Sequence, residues 1–393
     1  GTIPCTAPGD LVARNDDVSG KGNHAIQATE ASRPALGRTV EGGRRNLLTH
    51  TEEFDNAAWQ KDNVTVVPSA ATAPDGTQTA NLLYPTSSGD RRRILRNVVA
   101  NVTAGQTVTQ TLYVKSAGFR WVYFPDTNTQ TTGDDCWFDV IDGVVGNQGA
   151  NVLSPSIVSA GNGWWRISVS SVVSGGSDFF WIAAVDGNNS LISTTNGTSG
   201  IYIWGAQLEA AATASPYQRV GTTDLDVTEA GKKELWYLEF DGVDDYLDIS
   251  VAAKFEATTI IAGIDFESGD EYFITARPEV SSRFYFSRAR IGKGTTQFTY
   301  ETQLGKFIYT GQWIPENATM RRNTALVATA ESLLTGTVSL NYFGSGSIST
   351  GAITPDLFAG IKLYGLIIRV STSTQAEVDK TEAFLASRSG VTL

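Results

Sequence analysis

Flat aromatic side chains set among planar polar groups are the feature of this sequence best suited to chemistry. Trp121 and Tyr123 alternate along one extended segment and so share a face, and Trp137 and Trp181 stand in neighbouring segments of similar character. Such rings stack on the apolar C–H faces of a sugar, while Asp, Asn, Gln or Arg groups bond its vicinal hydroxyls. Trp164 and Trp165 are adjacent on a strand and point oppositely, so one is expected to be buried and the other to face a second environment. That makes Trp165 the fifth candidate for carbohydrate contact, beside Trp121, Tyr123, Trp137 and Trp181. Arg166 is expected to pair with an acid and brace the sheet, and Trp204 and Gln207 to serve as framework.

The acidic groups admit a second chemistry. Asp241, Asp244 and Asp245 lie beside Tyr246 and invite a reading as paired carboxylates for glycoside hydrolysis. A glycine flanked by aspartates is first a turn held by side-chain-to-backbone bonds, and no second acidic cluster accompanies it. Clustered oxygen ligands also suit Ca2+, for which Asp16, Asp17, Asp244 and Asp245 are the candidates. No other cofactor is expected. Two cysteines, Cys5 and Cys136, cannot form a disulfide framework, and with His24 and His50 they make a poor transition-metal set. The chain has no Gly-x-Ser-x-Gly elbow, Walker loop or dinucleotide fingerprint. It does not show an enzyme.

Composition narrows the partners. A formal charge of -11 is the reverse of the basic field that DNA or RNA requires. Arg44-Arg45, Arg91-Arg92-Arg93 and Arg321-Arg322 read as solvated loops or strand ends. No run of about 18 apolar residues offers a membrane span. The start Gly-Thr-Ile-Pro carries neither Met nor a signal peptide, as expected of a processed product or the ordered part of something longer. With 393 residues the soft expectation is two or three domains, and 39 glycines suit many short strands joined by tight turns.

The elements that must position these residues are almost all strands. Val108, Gln110, Leu112 and Val114 alternate with Thr109, Thr111 and Tyr113. Further strands are expected at Trp121-Val-Tyr-Phe124 and Cys136-Trp-Phe-Asp-Val140, with Asp142-Gly143 closing a hairpin. More follow at residues 164–169, 179–184 and 201–207. Near the end the period changes. Thr374-Gln-Ala-Glu377 is a capping box, and Gly390 is the expected stop of a single helix.

Two distant pieces read as one domain. The first is Asp17-Val-Ser-Gly-Lys-Gly-Asn-His-Ala-Ile-Gln-Ala, ending in Ser32-Arg-Pro34; the second is Phe240-Asp-Gly-Val-Asp-Asp-Tyr-Leu247. Together with Leu363-Tyr-Gly-Leu-Ile-Ile-Arg369 they resemble the concanavalin-A-like (laminin-G-like) lectin domain of bacteriophage and bacterial surface proteins. Between them, Asn46-Leu-Leu, Glu53-Phe-Asp-Asn-Ala-Ala-Trp59, Gly161-Asn-Gly-Trp-Trp-Arg166, Ile203-Trp-Gly-Ala-Gln-Leu-Glu209 and Ser215-Pro-Tyr217 are similar to a carbohydrate-binding-like module of phage tails and tail fibres. The resemblance implies an all-β chain of two antiparallel β-sandwich (jelly-roll) domains, the second inserted in the first, with one C-terminal α-helix. The expected boundaries are residues 1–42 plus 233–393 for the outer domain, 43–219 for the insertion and 220–232 for a linker. An insertion is tolerable where a surface loop opens and the guest's ends lie close together.

The function so implied is a virion or tail surface protein that binds a host envelope glycan without catalysis. Weak single sites would be offset by multivalency, so other virion proteins and a homo-oligomer, a trimer by family analogy, are the expected partners. One rival is a structural decoration or adaptor with no sugar site. The other is a glycan depolymerase.

Overall fold

The computed structural model describes residues 5–125, 133–175, 178–254, 258–267, 272–276, 284–287, 290–293, 296–299, 305–314, 317–331, 337–343, 345–346, 357–358, 360–371 and 373–393. It is an all-β structure of several antiparallel sheets with one C-terminal α-helix. The chain divides into two compact units, one made of Gly1–Gly42 and Lys233–Leu393, the other of Gly43–Lys232.

In the outer unit a seven-stranded sheet runs in the order Ala325–Glu331, Asn317–Arg322, Gly305–Ile314, Thr258–Phe266, Gly360–Arg369, Glu234–Asp241, Ala35–Val40. An eight-stranded sheet includes Arg14–Asn15, Ala25–Ile26, Leu247–Lys254 and Thr337–Phe343. The strand period of two sorts the side chains. Ile260, Ala262, Ile264 and Phe266 point into a core shared with Phe240, Tyr309, Trp313, Leu247 and Ile249. Ile261 and Ile308 point the other way, against Val378 and Leu385 of the helix Gln375–Ser389. That helix begins as its sequence dictates. The Thr374 hydroxyl accepts from the Glu377 amide, the Glu377 carboxylate accepts from the Thr374 amide, and Gly390 ends it at φ 70°.

The two distant pieces meet within this unit. Glu234 to Glu239 pair with Val40 back to Ala35, and Ile26 pairs with Asp248. Gln27 Nε2 donates to the Tyr246 carbonyl at 3.2 Å, and the Ser32 hydroxyl donates to Asp244 Oδ2 at 3.2 Å.

The inner unit holds two six-stranded sheets. One has the order Val144–Gln148, Cys136–Asp139, Trp121–Tyr123, Phe179–Val185, Arg93–Asn97, Gln60–Asp62; the other Leu153–Gly161, Trp164–Val172, Thr107–Ala117, Gly200–Glu209, Ala80–Pro85, Val64–Ala71. Val122, Phe138, Phe180 and Ile182 of the first share a core with Val108, Leu112, Ile167, Ile203 and Leu208 of the second. Asn46 clasps the two ends of the unit. Its Nδ2 donates to the carbonyls of Ala206 and Gln218, both at 2.9 Å, and its Oδ1 accepts from the amides of Leu48 and Leu208, both at 3.1 Å.

Residues 220–232, expected as a linker, are structured. Gln218–Val220 and Val227–Glu229 form a two-stranded ladder, with Val220 and Val227 buried and Arg219 Nη1 held 2.8 Å from Asp226 Oδ2. The apolar content of this stretch is too small to show an alternating pattern, so its ladder rests on tertiary contacts. Among the described residues no helix is long and apolar enough to cross a membrane.

Candidate functional site

The outer faces of the two inner-unit sheets differ. On the first, the aromatics that the sequence singles out come together. Tyr123 lies opposite Trp137 in the ladder, with ring centroids 5.0 Å apart, and 4.7 Å from Trp181. All three are buried, at 4% or less exposure, and pack with Leu95, Ala183 and Val185. Trp137 Nε1 donates to the Ser190 carbonyl at 2.7 Å, the Tyr123 hydroxyl donates to Asp135, and the Arg93 guanidinium lies 4.7 Å over the Trp181 ring. Trp121 sits at the margin, partly exposed. Rings stacked this way fill one another's faces and leave little of them for a ligand.

Trp164 and Trp165 do point oppositely, but both are packed. Trp164 is buried beside Trp204, with Nε1 donating to the Thr72 carbonyl at 3.1 Å. Trp165 is half-buried against the central core and donates from Nε1 to the Val140 carbonyl at 2.9 Å. The turn ending at Gly143 covers its ring. A Cβ at Gly143 would lie 2.1 Å from the ring edge, so only glycine fits, at φ 69°.

The second sheet's outer face carries a cleft of about 550 Å³, within the range of small-ligand sites. Alternation along Thr107–Ala117 places Thr109, Thr111 and Tyr113 on this face, while Val108, Leu112 and Val114 fill the core. Arg166, Ser168 and Ser170 lie opposite Tyr113, Thr111 and Thr109. The lining adds Ser154, Ser156 and Ser159 from the edge strand and Thr213 from residues 212–214, with apolar surface from Val158, Ala160, Ala212 and Ala214. Residues 211–215 are tied down by hydroxyls of the sheet and by a buried acid. Thr109 Oγ1 donates to the Ala211 carbonyl at 2.7 Å, Ser170 Oγ to the Ala212 carbonyl at 3.1 Å, and Glu209 Oε1 accepts from the Ser215 amide at 2.8 Å. Tyr113 lines the cleft and packs edge-on against Trp204 at 5.2 Å and Tyr217 at 6.1 Å. Burial pushes the Tyr113 phenol above its ordinary value, although the Arg166 charge pulls the other way.

Arg166 does not pair with an acid. Its Nη2 donates to Thr111 Oγ1 at 3.1 Å and to the Ser215 carbonyl at 2.6 Å, and its guanidinium lies 5.6 Å over the Tyr113 ring. Nε is buried without a hydrogen-bond partner. Glu209, a buried acid that also bonds Ser215, is engaged by Gln207 Nε2 at 2.8 Å and by the Ser215 hydroxyl at 2.6 Å. Sequence reading missed Tyr113 and the hydroxyls as a site. Serines and threonines on alternate strand positions carry no ligand signal until strands far apart in sequence are laid side by side.

In the outer unit Asp241, Asp244 and Asp245 present one carboxylate oxygen each within 4.8 Å of one another, a set that could coordinate a divalent cation such as Ca2+. Asp16 and Asp17 are elsewhere. Asp16 is 2.6 Å from Arg14 Nε and 3.0 Å from His24 Nδ1. Hydrogen bonds from Ser19 and Asn23 hold Asp17 down at about 2. Asp241 Oδ1 also accepts from the amides of Val243 and Asp244, the turn chemistry that its sequence suggests. Burial, then the charges of Asp241, Asp244 and Glu239, push Asp245 up to about 7, against one opposing bond from the Asp241 amide.

That value sets a pH window. The folded-state value lies above the ordinary 3.8, so the protonated group's contribution to stability is complete below pH ~4 and disappears as pH rises to about 7. A divalent cation bound by the three carboxylates would take the proton's place. Without added metal, the outer unit is expected to melt several degrees lower at pH 8 than at pH 5, at about 2–4 °C for each kcal/mol lost, and CaCl2 should restore the loss. In Asp245→Asn both the pH slope and the Ca2+ response should shrink. Melting curves at pH 5 and 8, with CaCl2 or with chelator, check this; an unchanged slope in the variant would refute it.

No family model matches the sequence, and no curated protein matches it. Among solved structures the chain is similar to the N-terminal CBM22-1-CBM22-2 tandem domain of Xyn10C from Paenibacillus barcinonensis. The identity is 10%, the coverage 83% of this chain and 98% of that one, and the TM-score 0.25, too low for any site to be carried across.

Proposed function

We propose that this chain is a non-catalytic glycan-recognition protein and that the inner unit's cleft holds the sugar. The cleft carries the reading. It is concave, lined by hydroxyls on a rigid sheet, and bounded by the Tyr113 ring and the Arg166 guanidinium. Hydroxyls and a guanidinium exchange hydrogen bonds with sugar hydroxyls, while the alanines and Val158 meet apolar C–H faces. No carboxylate is among its lining residues, which favours holding over hydrolysis.

In the architecture that goes with this reading, each unit is an antiparallel sandwich, the inner one a jelly roll inserted in a lectin-like outer one. The sequence pieces that resemble phage surface modules support a place on a virion or tail, with a host envelope glycan as receptor and a homo-oligomer supplying avidity. A second reading keeps the recognition surface on the other sheet, because Trp121 retains exposed ring area beside Tyr123, Trp137 and Trp181.

Binding of the purified chain to a glycan panel tests both. Ser156→Trp puts bulk into the cleft from the edge strand and is expected to weaken binding at least about tenfold, with the circular dichroism spectrum unchanged. Trp121→Ala is expected to leave binding intact. The opposite pattern moves the site to the first sheet. No binding to any glycan, with no new reducing ends released from host polysaccharide, would favour a structural adaptor.

A further inference from the structure

We infer that the cleft selects a sugar residue bearing a carboxylate, an inference that rests on the glycan reading above. Several of the unit's other guanidinium groups meet an acid. Arg45 lies 2.9 Å from Glu229, Arg93 3.1 Å from Asp62, and Arg219 2.8 Å from Asp226, whereas Arg92 and Arg96, which do not line the cleft, bond the carbonyls of Ser87 and Ser88 and the carbonyl and hydroxyl of Thr49. Arg166 has only neutral acceptors, the Thr111 hydroxyl and the Ser215 carbonyl, and both engage the same nitrogen, Nη2. A guanidinium offers five N–H donors, and here Nε is buried with no acceptor. The guanidinium therefore sits in a concavity with no acidic partner among the described residues.

The surroundings keep it that way. Glu209 is committed to Gln207 Nε2 and to Ser215 N and Oγ. Ser215 thus separates the two charges, taking the acid on its amide and hydroxyl and the cation on its carbonyl. The Tyr113 ring lies 5.6 Å from the Arg166 Cζ, within cation–π range, and the two bonds of Nη2 hold the group in place. A fixed, under-satisfied guanidinium in a partly desolvated cleft favours a planar carboxylate, which accepts charge-assisted bonds. Ser156, Ser159, Ser168 and Thr213 remain for ring hydroxyls. A phosphate fits less well, because phosphate sites gather several cations or a nest of backbone amides, and this cleft has one cation in its lining. With a formal charge of -11 the chain gives an anion no general attraction, so the preference must come from this cleft.

The test compares an oligosaccharide containing glucuronic acid with its carboxyl-reduced, neutral counterpart by titration calorimetry on the full chain. The intact protein should bind the acid form at least about tenfold more tightly, with the margin narrowing at high salt. Arg166→Gln should abolish the preference. Because Arg166 also anchors Ser215, Ser168→Asp is the second variant. It leaves Arg166 in place and supplies an internal counter-ion two residues away on the same face, and it too should abolish the preference. Equal affinity for the two forms in the intact protein overturns the inference and leaves glycan recognition standing. Binding of neither form, nor of any glycan on the panel, overturns both. A preference that survives both variants places the anion elsewhere and overturns the assignment to Arg166.

Discussion

Asn46→Ala is expected to destabilise the inner unit by about 3–4 kcal/mol, among the larger effects of a single truncation. The side chain is wholly buried, and its amide satisfies four backbone groups on three segments: Leu48, Ala206, Leu208 and Gln218. Alanine leaves two carbonyls and two amides buried without partners, each costing roughly 1 kcal/mol or more. Asn46→Asp should be nearly as harmful, since a carboxylate keeps the acceptor but offers no donor to the two carbonyls. Urea unfolding followed by tryptophan fluorescence measures this, because most of the nine tryptophans lie in the inner unit. A loss under about 0.5 kcal/mol would show that the ends of the unit are held by packing, and that the Asn46 bonds are incidental.

The second large effect concerns the C-terminal helix. Glu382 is wholly buried; it accepts from Thr310 Oγ1 at 2.7 Å and lies 3.2 Å from Arg321 Nε. Glu382→Ala removes the buried acid that Arg321 meets and leaves the Thr310 hydroxyl without its acceptor. Breaking a buried pair from one side costs about 3–5 kcal/mol. Here about 2–4 kcal/mol is expected, because Arg321 keeps Asp379 at 3.2 Å. Pairing Arg321→Met with Glu382→Leu should recover most of the loss, since neither desolvated charge then remains. If the double variant is no better than Glu382→Ala, the destabilisation comes from helix packing. Chemical denaturation of all three proteins decides the matter.

How far the sequence anticipates this molecule depends on the range of the interaction. The capping box at Thr374 and Glu377, the stop at Gly390, the turn at Gly143 and the alternation from Val108 to Val114 are local, and the structure shows each. The opposite orientations of Trp164 and Trp165 follow from strand geometry alone. What strand parity does not reveal is whether a given face is covered. Tyr123, Trp137 and Trp181 share a face, as their spacing requires, yet that face is sealed in part by the segment through Ser190 and Leu191. The cleft is legible least of all. Thr109, Ser170 and Ala212 come together only through pairing and through a return of the chain over the sheet. Arg166 was visible as a charge in an aromatic motif. Its lack of an acidic partner depends on Ser215, whose side chain and amide occupy Glu209.

The chain leaves the outer unit just after Val40 and re-enters it at Lys233, and these ends are already bonded to one another: Val40 pairs with Glu234, and the Glu41 amide donates to the Lys233 carbonyl at 2.9 Å. In chain connectivity, Gly43–Lys232 stands where a hairpin turn would join the two paired strands. A gene lineage could therefore trade that cassette for another, or delete it in favour of a few residues, without disturbing the register of the flanking strands. The inserted unit could then be exchanged by recombination at two codon positions while the outer unit stays the same.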